Sequence, residues 1–103
     1  MIVRVWHGWT EPENADEYER ILREDVLPEI ASKDLSGFEG SDVFRREARG
    51  EVEFMTILWF RSMDGVREFV GEEVQQAHVP EKAQGLLPRY EDRAQHYERR
   101  FGA

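Results

Sequence analysis

An α+β domain, with helices covering one face of a four-stranded antiparallel sheet, is the fold class this sequence predicts. Three observations carry that expectation. Two runs rich in β-branched and aromatic residues, Ile2 to Trp9 and Val52 to Phe60, read as strands, and Ser41 to Ala48 reads as the arm that pairs with the latter. The stretch from Ala15 to Ile30 repeats apolar residues at steps of three and four, the mark of an amphipathic helix. Arg49-Gly50, between that arm and the Val52 run, reads as the tip of a hairpin, since Gly takes the positive φ of a tight turn. At 103 residues the chain makes one domain, residues 1–103.

The first strand gives way to Thr10-Glu11-Pro12-Glu13-Asn14, which supplies turn chemistry. Thr10 with Glu13, and Asn14 with Glu17, each have the spacing of a capping box. The helix that follows buries Tyr18, Leu22, Val26 and Ile30, with Asp16, Glu17, Glu19, Arg20, Arg23 and Glu24 on its wet face. Pro28, lacking an amide hydrogen, predicts a kink or a tightened last turn. Leu35 to Gly40 is a loop into the hairpin. Ser62 caps a helix carrying Val66, Phe69 and Val70, which Gly71 interrupts. A short helix is expected over Glu72 to Val79, and another turn over Glu81 to Leu87. Tyr90 to Phe101 is either a helix or, through Ala94-Gln95-His96-Tyr97, a closing edge strand. With the strand reading the order is βαββαβ, a ferredoxin-like arrangement.

Lys plus Arg is 14 and Asp plus Glu is 22, a net charge of −8. Such a balance speaks against nucleic acid, whose phosphates demand a basic surface, and against an anionic membrane leaflet. Cysteine is absent, so disulfides, thiolate nucleophiles and Cys-ligated metals are excluded. No run approaches the ~20 apolar residues of a membrane span, and a soluble cytoplasmic protein is expected.

The third strand is apolar on both of its faces. Phe54, Thr56, Leu58 and Phe60 point one way, and Met55, Ile57 and Trp59 the other. The first strand likewise sets Val3, Val5 and His7 against Ile2, Arg4 and Trp6. One helical layer covers one face, and an apolar second face is the kind of patch that monomers avoid. A homodimer paired sheet to sheet is therefore expected; a thicker helical layer is the alternative.

The opening Ile2 to Gly8, Pro12 to Tyr18 on the first helix, Gly37-Phe38-Glu39-Gly40, Val52-Glu53-Phe54 with Leu58-Trp59-Phe60, Phe69 with Gly71-Glu72, and His96-Tyr97-Glu98 resemble the antibiotic biosynthesis monooxygenase-like family. The resemblance spans essentially the whole chain and concerns fold more than catalysis. It implies a ferredoxin-like protomer pairing into a dimeric α/β barrel, with a pocket between sheet and helices in each protomer. It also implies a cofactor-independent monooxygenase of phenol- or quinol-type substrates. The rival is a non-catalytic or stress-related protein that binds a small hydrophobic molecule. Haem-degrading relatives place an axial His near the position of His78, with an Asn on the first strand and a Trp about three turns before the His. This chain has His7 or Gly8, and Glu68-Phe69, at those two points.

Candidate chemistry rests on few side chains. His7, His78 and His96 are the candidate catalytic residues: His7 and His96 to take an acidic substrate proton, and His78 through the axial position that the resemblance to haem-degrading relatives implies. Arg4, Trp6, Trp9, Trp59 and Tyr97 are the candidate pocket residues, aromatic walls with a cation to steady an anion. Each has a plainer reading. Trp6 and Trp59 fill a core or a dimer seam, His7 is a satisfied sheet histidine, and His78 sits comfortably near a helix end. The spacing of the three histidines matches no metal motif, no cofactor is expected, and Arg45, Arg46 and Arg49 suit cross-strand ion pairs with Glu47, Glu51 and Glu53.

Overall fold

β1 (Ile2–Thr10) runs through the middle of an open antiparallel sheet, as its unbroken β-branched and aromatic run favours. In the computed structural model, which describes residues 1–102, β3 (Glu51–Phe60) pairs with one side of β1 over nine positions, from Ile2 opposite Phe60 to Thr10 opposite Val52. β2 (Phe38–Ala48) lies outside β3. Two short strands, β4 (Arg89–Tyr90) and β5 (Gln95–Glu98), share the other side of β1, making five strands where four were expected.

The split has a local cause. Between β4 and β5 the chain leaves the ladder, and Glu91 bridges the gap. Its amide donates to the His7 carbonyl (3.0 Å), its carbonyl accepts from Trp6 Nε1 (2.7 Å), and its carboxylate accepts from the His7 amide (2.8 Å). The closing segment is thus strand, not helix.

The first helical stretch comprises α1 (Ala15–Ile21), a π turn over Leu22–Val26 and α2 (Leu27–Ser32). The turn before Pro28 is widened rather than tightened. Proline offers no amide to the Glu24 carbonyl and its ring crowds that oxygen, so Leu27 N–H reaches back to Leu22 instead. Neither capping box forms: Asn14 makes no side-chain cap, and the Thr10 hydroxyl is buried without a partner. A short 3-10 turn, Pro12–Asn14, starts the helix in their place, its amide hydrogen bonds closed by Glu11 and Pro12 carbonyls.

The hairpin tip is as expected. Arg49 (φ 55°) and Gly50 (φ 79°) are both left-handed, the two-residue turn whose twist matches the strands. Ser62 caps α3 (Met63–Val70), accepting from the Asp64 amide at 3.3 Å. Within α3, Gly65 lets the helix approach closely, since a Cβ there would lie 2.1 Å from the Ser36 carbonyl oxygen.

The helix expected over Glu72 to Val79 is absent. Residues 71–80 form an irregular strap whose backbone groups pair with the closing segment: Ala94 N–H donates to Gln75 O (2.7 Å) and Ala77 N–H to Asp92 O (3.1 Å). Arg4 claims the Val74 and Gln76 carbonyls, which a helix would have used internally. A single turn, α4 (Glu81–Gln84), follows.

All helices pack on the face bearing Arg4, Trp6, Phe54, Leu58 and Phe60. Tyr18 from α1 meets Phe54 edge-on at 4.8 Å, and Val52, Phe54, Phe60 and Val66 are essentially sealed from water. The opposite face stays uncovered. It carries Val3, Val5, His7 and Trp9 of β1 opposite Trp59, Ile57, Met55 and Glu53 of β3, with Phe44 (51 % exposed) and Tyr97 (58 %) at its edges.

Candidate functional site

A cavity lies between the covered sheet face and the helices, enclosing about 50 Å³ and opening into some 520 Å³ of free space that includes its mouth. β1 contributes Arg4 and Trp6, β3 contributes Thr56 and Leu58, the first helical stretch Tyr18, Leu22 and Val26, and the strap His78 and Val79. The alternation of the strands sets these directions: Arg4 stands opposite Leu58, and Trp6 opposite Thr56.

Arg4 is the exceptional residue. It is only 3 % exposed, yet no carboxylate pairs with it among the described residues. Nη1 donates to the Val74 carbonyl (2.6 Å) and to His96 Nε2 (3.0 Å), and Nη2 donates to the Gln76 carbonyl (2.6 Å). Its guanidinium also stands 5.7 Å from the Phe69 ring centre. Burial pulls its pKa down to about 10, so the side chain stays cationic at neutral pH. A guanidinium has no acceptor atom, so His96 Nε2 must accept, which fixes the neutral tautomer with its proton on Nδ1. Burial first, and then the Arg4 charge, hold His96 below the ordinary imidazole range.

His78 stands at the cavity mouth with its ring 4.7 Å from that of Phe69. It lies on the strap, not at a helix C-terminus; the nearest helix in sequence, α4, begins three residues later. Burial, followed by the charge of Lys33, lowers its pKa, leaving it neutral and able to accept a proton. Burial drives the Tyr18 phenol above its ordinary range, so it serves the cavity as a neutral wall.

The structure does not bring the other sequence-predicted site residues to this cavity. Trp6, Arg4 and His78 line it, and His96 backs it through Arg4. His7, Trp9, Trp59 and Tyr97 lie on the open face. The one pocket expected of Trp6, His7, Trp9, Trp59 and Tyr97 therefore does not form, because neighbouring strand residues point to opposite sides. On the open face His7 Nδ1 meets Glu91 at 2.8 Å, the His7 and Trp9 rings stack at 6.2 Å, Arg89 lies 3.9 Å over Trp9, and Trp59 Nε1 donates to Asp42 at 2.8 Å. Arg46 pairs across strands with Glu53, whereas Arg45 reaches the helix carboxylates Asp16 and Glu19.

Sequence reasoning missed Thr56. Its hydroxyl is buried with no hydrogen-bond partner, and the residue is part of the cavity wall. The available signal was its polarity, a lone hydroxyl in the otherwise apolar series Phe54, Leu58, Phe60.

Fold and site together define a class: an α+β protein whose open antiparallel sheet carries an apolar cavity with a buried, unpaired cation. No three His, Asp or Glu residues gather as a metal site among the described residues, and no helix is long and apolar enough to cross a membrane. No protein-family model matches the chain, and no curated protein matches it.

Proposed function

We propose that the chain is a ferredoxin-like protomer of a homodimer, of the antibiotic biosynthesis monooxygenase-like kind, and that it oxidises a small phenol- or quinol-type molecule in its cavity without metal or flavin. The strand order β2-β3-β1 with the closing strands beside β1 supports the ferredoxin-like reading. The uncovered row of Val3, Val5, Met55, Ile57 and Trp59 supports pairing through the sheet.

The observation that carries the functional reading is the Arg4 guanidinium, buried beside aromatic walls with no carboxylate to balance it. A fixed cation in a poorly solvated site stabilises an anionic ligand far more than it would in water. Neutral His78 at the mouth is placed to take the phenolic proton. The electron-rich anion then passes one electron to dioxygen, and the radical pair recombines at carbon. Loss of water leaves a quinone, so one oxygen atom enters the substrate and the other leaves as water. The substrate supplies all the electrons.

One observation favours a second reading, non-catalytic binding: the enclosed space of about 50 Å³ is a third of the ~150 Å³ apolar cavity that admits benzene. A planar ligand must use the mouth or displace the strap. Oxygen uptake separates the two. With a panel of hydroquinones, and no added metal or flavin, the oxygenase reading expects uptake that His78→Ala lowers. Thermal stabilisation by the same compounds without uptake identifies a binding protein. Sedimentation equilibrium expects twice the 12.2 kDa chain mass.

A further inference from the structure

Two donors in the cavity wall lack acceptors. Arg4 spends its Nη atoms on the Val74 and Gln76 carbonyls and on His96, and its Nε–H takes no part in those bonds. The Thr56 hydroxyl is buried and unpartnered. Both residues line the cavity. Arg4 lies opposite Leu58, so Thr56 is its diagonal neighbour on the same sheet face, a spacing that long side chains span. Holding the strap explains the Nη contacts of Arg4. It does not explain a hydroxyl left dry on the same wall.

We infer that the cavity's ligand carries a carboxylate, gripped between the Arg4 guanidinium and the Thr56 hydroxyl. This rests on the small-molecule reading above and names the group that orients the substrate. Carbonyls and a neutral imidazole satisfy hydrogens on Arg4 without cancelling its charge, and a buried charge calls for a counter-charge. Arginine presents a rigid fork that matches a planar carboxylate. Two donors in an otherwise apolar wall suit two oxygens, and a phosphate would leave further oxygens unmet among Leu22, Val26 and Leu58. With the acid anchored at Arg4, the far end of an aromatic ring points to the mouth, where His78 waits.

The test compares benzoate with two near-isosteres, benzamide and benzyl alcohol, and with inorganic phosphate, by calorimetry and by amide shifts at Arg4 and Thr56. Benzoate is expected to bind at least ~10-fold more tightly than either isostere, the scale of a hydrogen bond to a charged group. Thr56→Val keeps the side-chain shape and avoids the folding risk of changing Arg4. It is expected to raise the melting temperature of the free protein, by removing an unpaired hydroxyl, and to weaken benzoate ~10-fold while leaving benzyl alcohol within about twofold. Equal binding of benzoate and benzamide overturns the carboxylate, as does a Thr56→Val protein that binds benzoate unchanged. Preferential binding of phosphate overturns it in favour of a phosphoester. In each of these cases the small-molecule reading survives, whereas silence from all four probes removes both.

Discussion

The two faces of β3 are built from similar residues and meet opposite fates. On one side Val52, Phe54, Leu58 and Phe60 are buried under the helices. On the other Met55, Ile57 and Trp59 are only partly covered, although they are as apolar and lie one residue away. Residue type therefore does not decide burial here; the layer above does. The covered face holds the cavity and its cation. The open face holds a His7–Glu91 hydrogen bond and an Arg46–Glu53 ion pair, scattered among large apolar groups. One face is covered by the chain's own helices, and the other is left open.

The sharpest way to break this contrast is to truncate one residue on each side. Phe54→Ala removes a ring that is 0 % exposed and packed edge-on with Tyr18, and should cost about 3–5 kcal/mol of unfolding free energy. That loss should be the same at every protein concentration. Ile57→Ala, on the open face, should cost less in dilute protein and more as concentration rises if, as proposed, a second copy covers it. Urea unfolding of both variants at two protein concentrations decides the matter. Concentration-independent losses for both would remove the dimer argument.

A charge on the open face should have the next largest effect. Ile57 sits between Val5 and Asp42, so Ile57→Lys gains a carboxylate neighbour within its own sheet. The protomer should keep its circular dichroism and its melting transition at low concentration. Its mass in solution should fall from twice 12.2 kDa to 12.2 kDa, since an unpaired lysine cannot enter a sheet-to-sheet interface. A variant that remains dimeric shows that the copies meet elsewhere.

Much of this was legible because it depends on local rules. Alternation gave the faces of β1 and β3, the Arg49-Gly50 pair gave the hairpin, and Ser62 gave a helix start. The misreadings share a cause in tertiary competition. Glu72 to Val79 has the composition of a helix, but Arg4, far away in sequence, takes two of its carbonyls. Thr10 has the spacing of a cap, but strand pairing with Val52 turns its hydroxyl into the core. Likewise, grouping all the aromatics into one pocket ignored that Trp6 and His7 are neighbours on a strand and so cannot face the same way.

The histidine behind Arg4 gives a pH test of the covered face. The folded protein holds His96 below the unfolded imidazole value of 6.5, mainly through burial and then through Arg4. Above that value the side chain is neutral in both states and the stability is fully present. As pH falls below it, the unfolded chain takes up the proton first, so stability is lost until the depressed folded value is passed. His78 acts in the same direction. Thermal melts between about pH 7.5 and 5.5 should show a steady fall, and His96→Gln, which can still accept from Arg4, should flatten it. A slope unchanged in His96→Gln would assign the effect to other groups.

The smallest expected effect concerns Thr10, at the end of the covered face. Its hydroxyl is buried opposite Val52 with no partner, so the folded state pays for desolvating a group that water would have bonded. Thr10→Val exchanges that hydroxyl for a methyl of nearly the same shape and keeps the β-branch that suits a strand. The expected gain is about 0.5–1 kcal/mol, read as a modestly higher urea midpoint with unchanged slope. Unlike Thr56→Val, which alters the cavity wall, Thr10→Val should leave benzoate binding as it was, because Thr10 does not line the cavity. A lower midpoint would show that the hydroxyl has a partner after all, and that the capping role its spacing suggested is filled in solution.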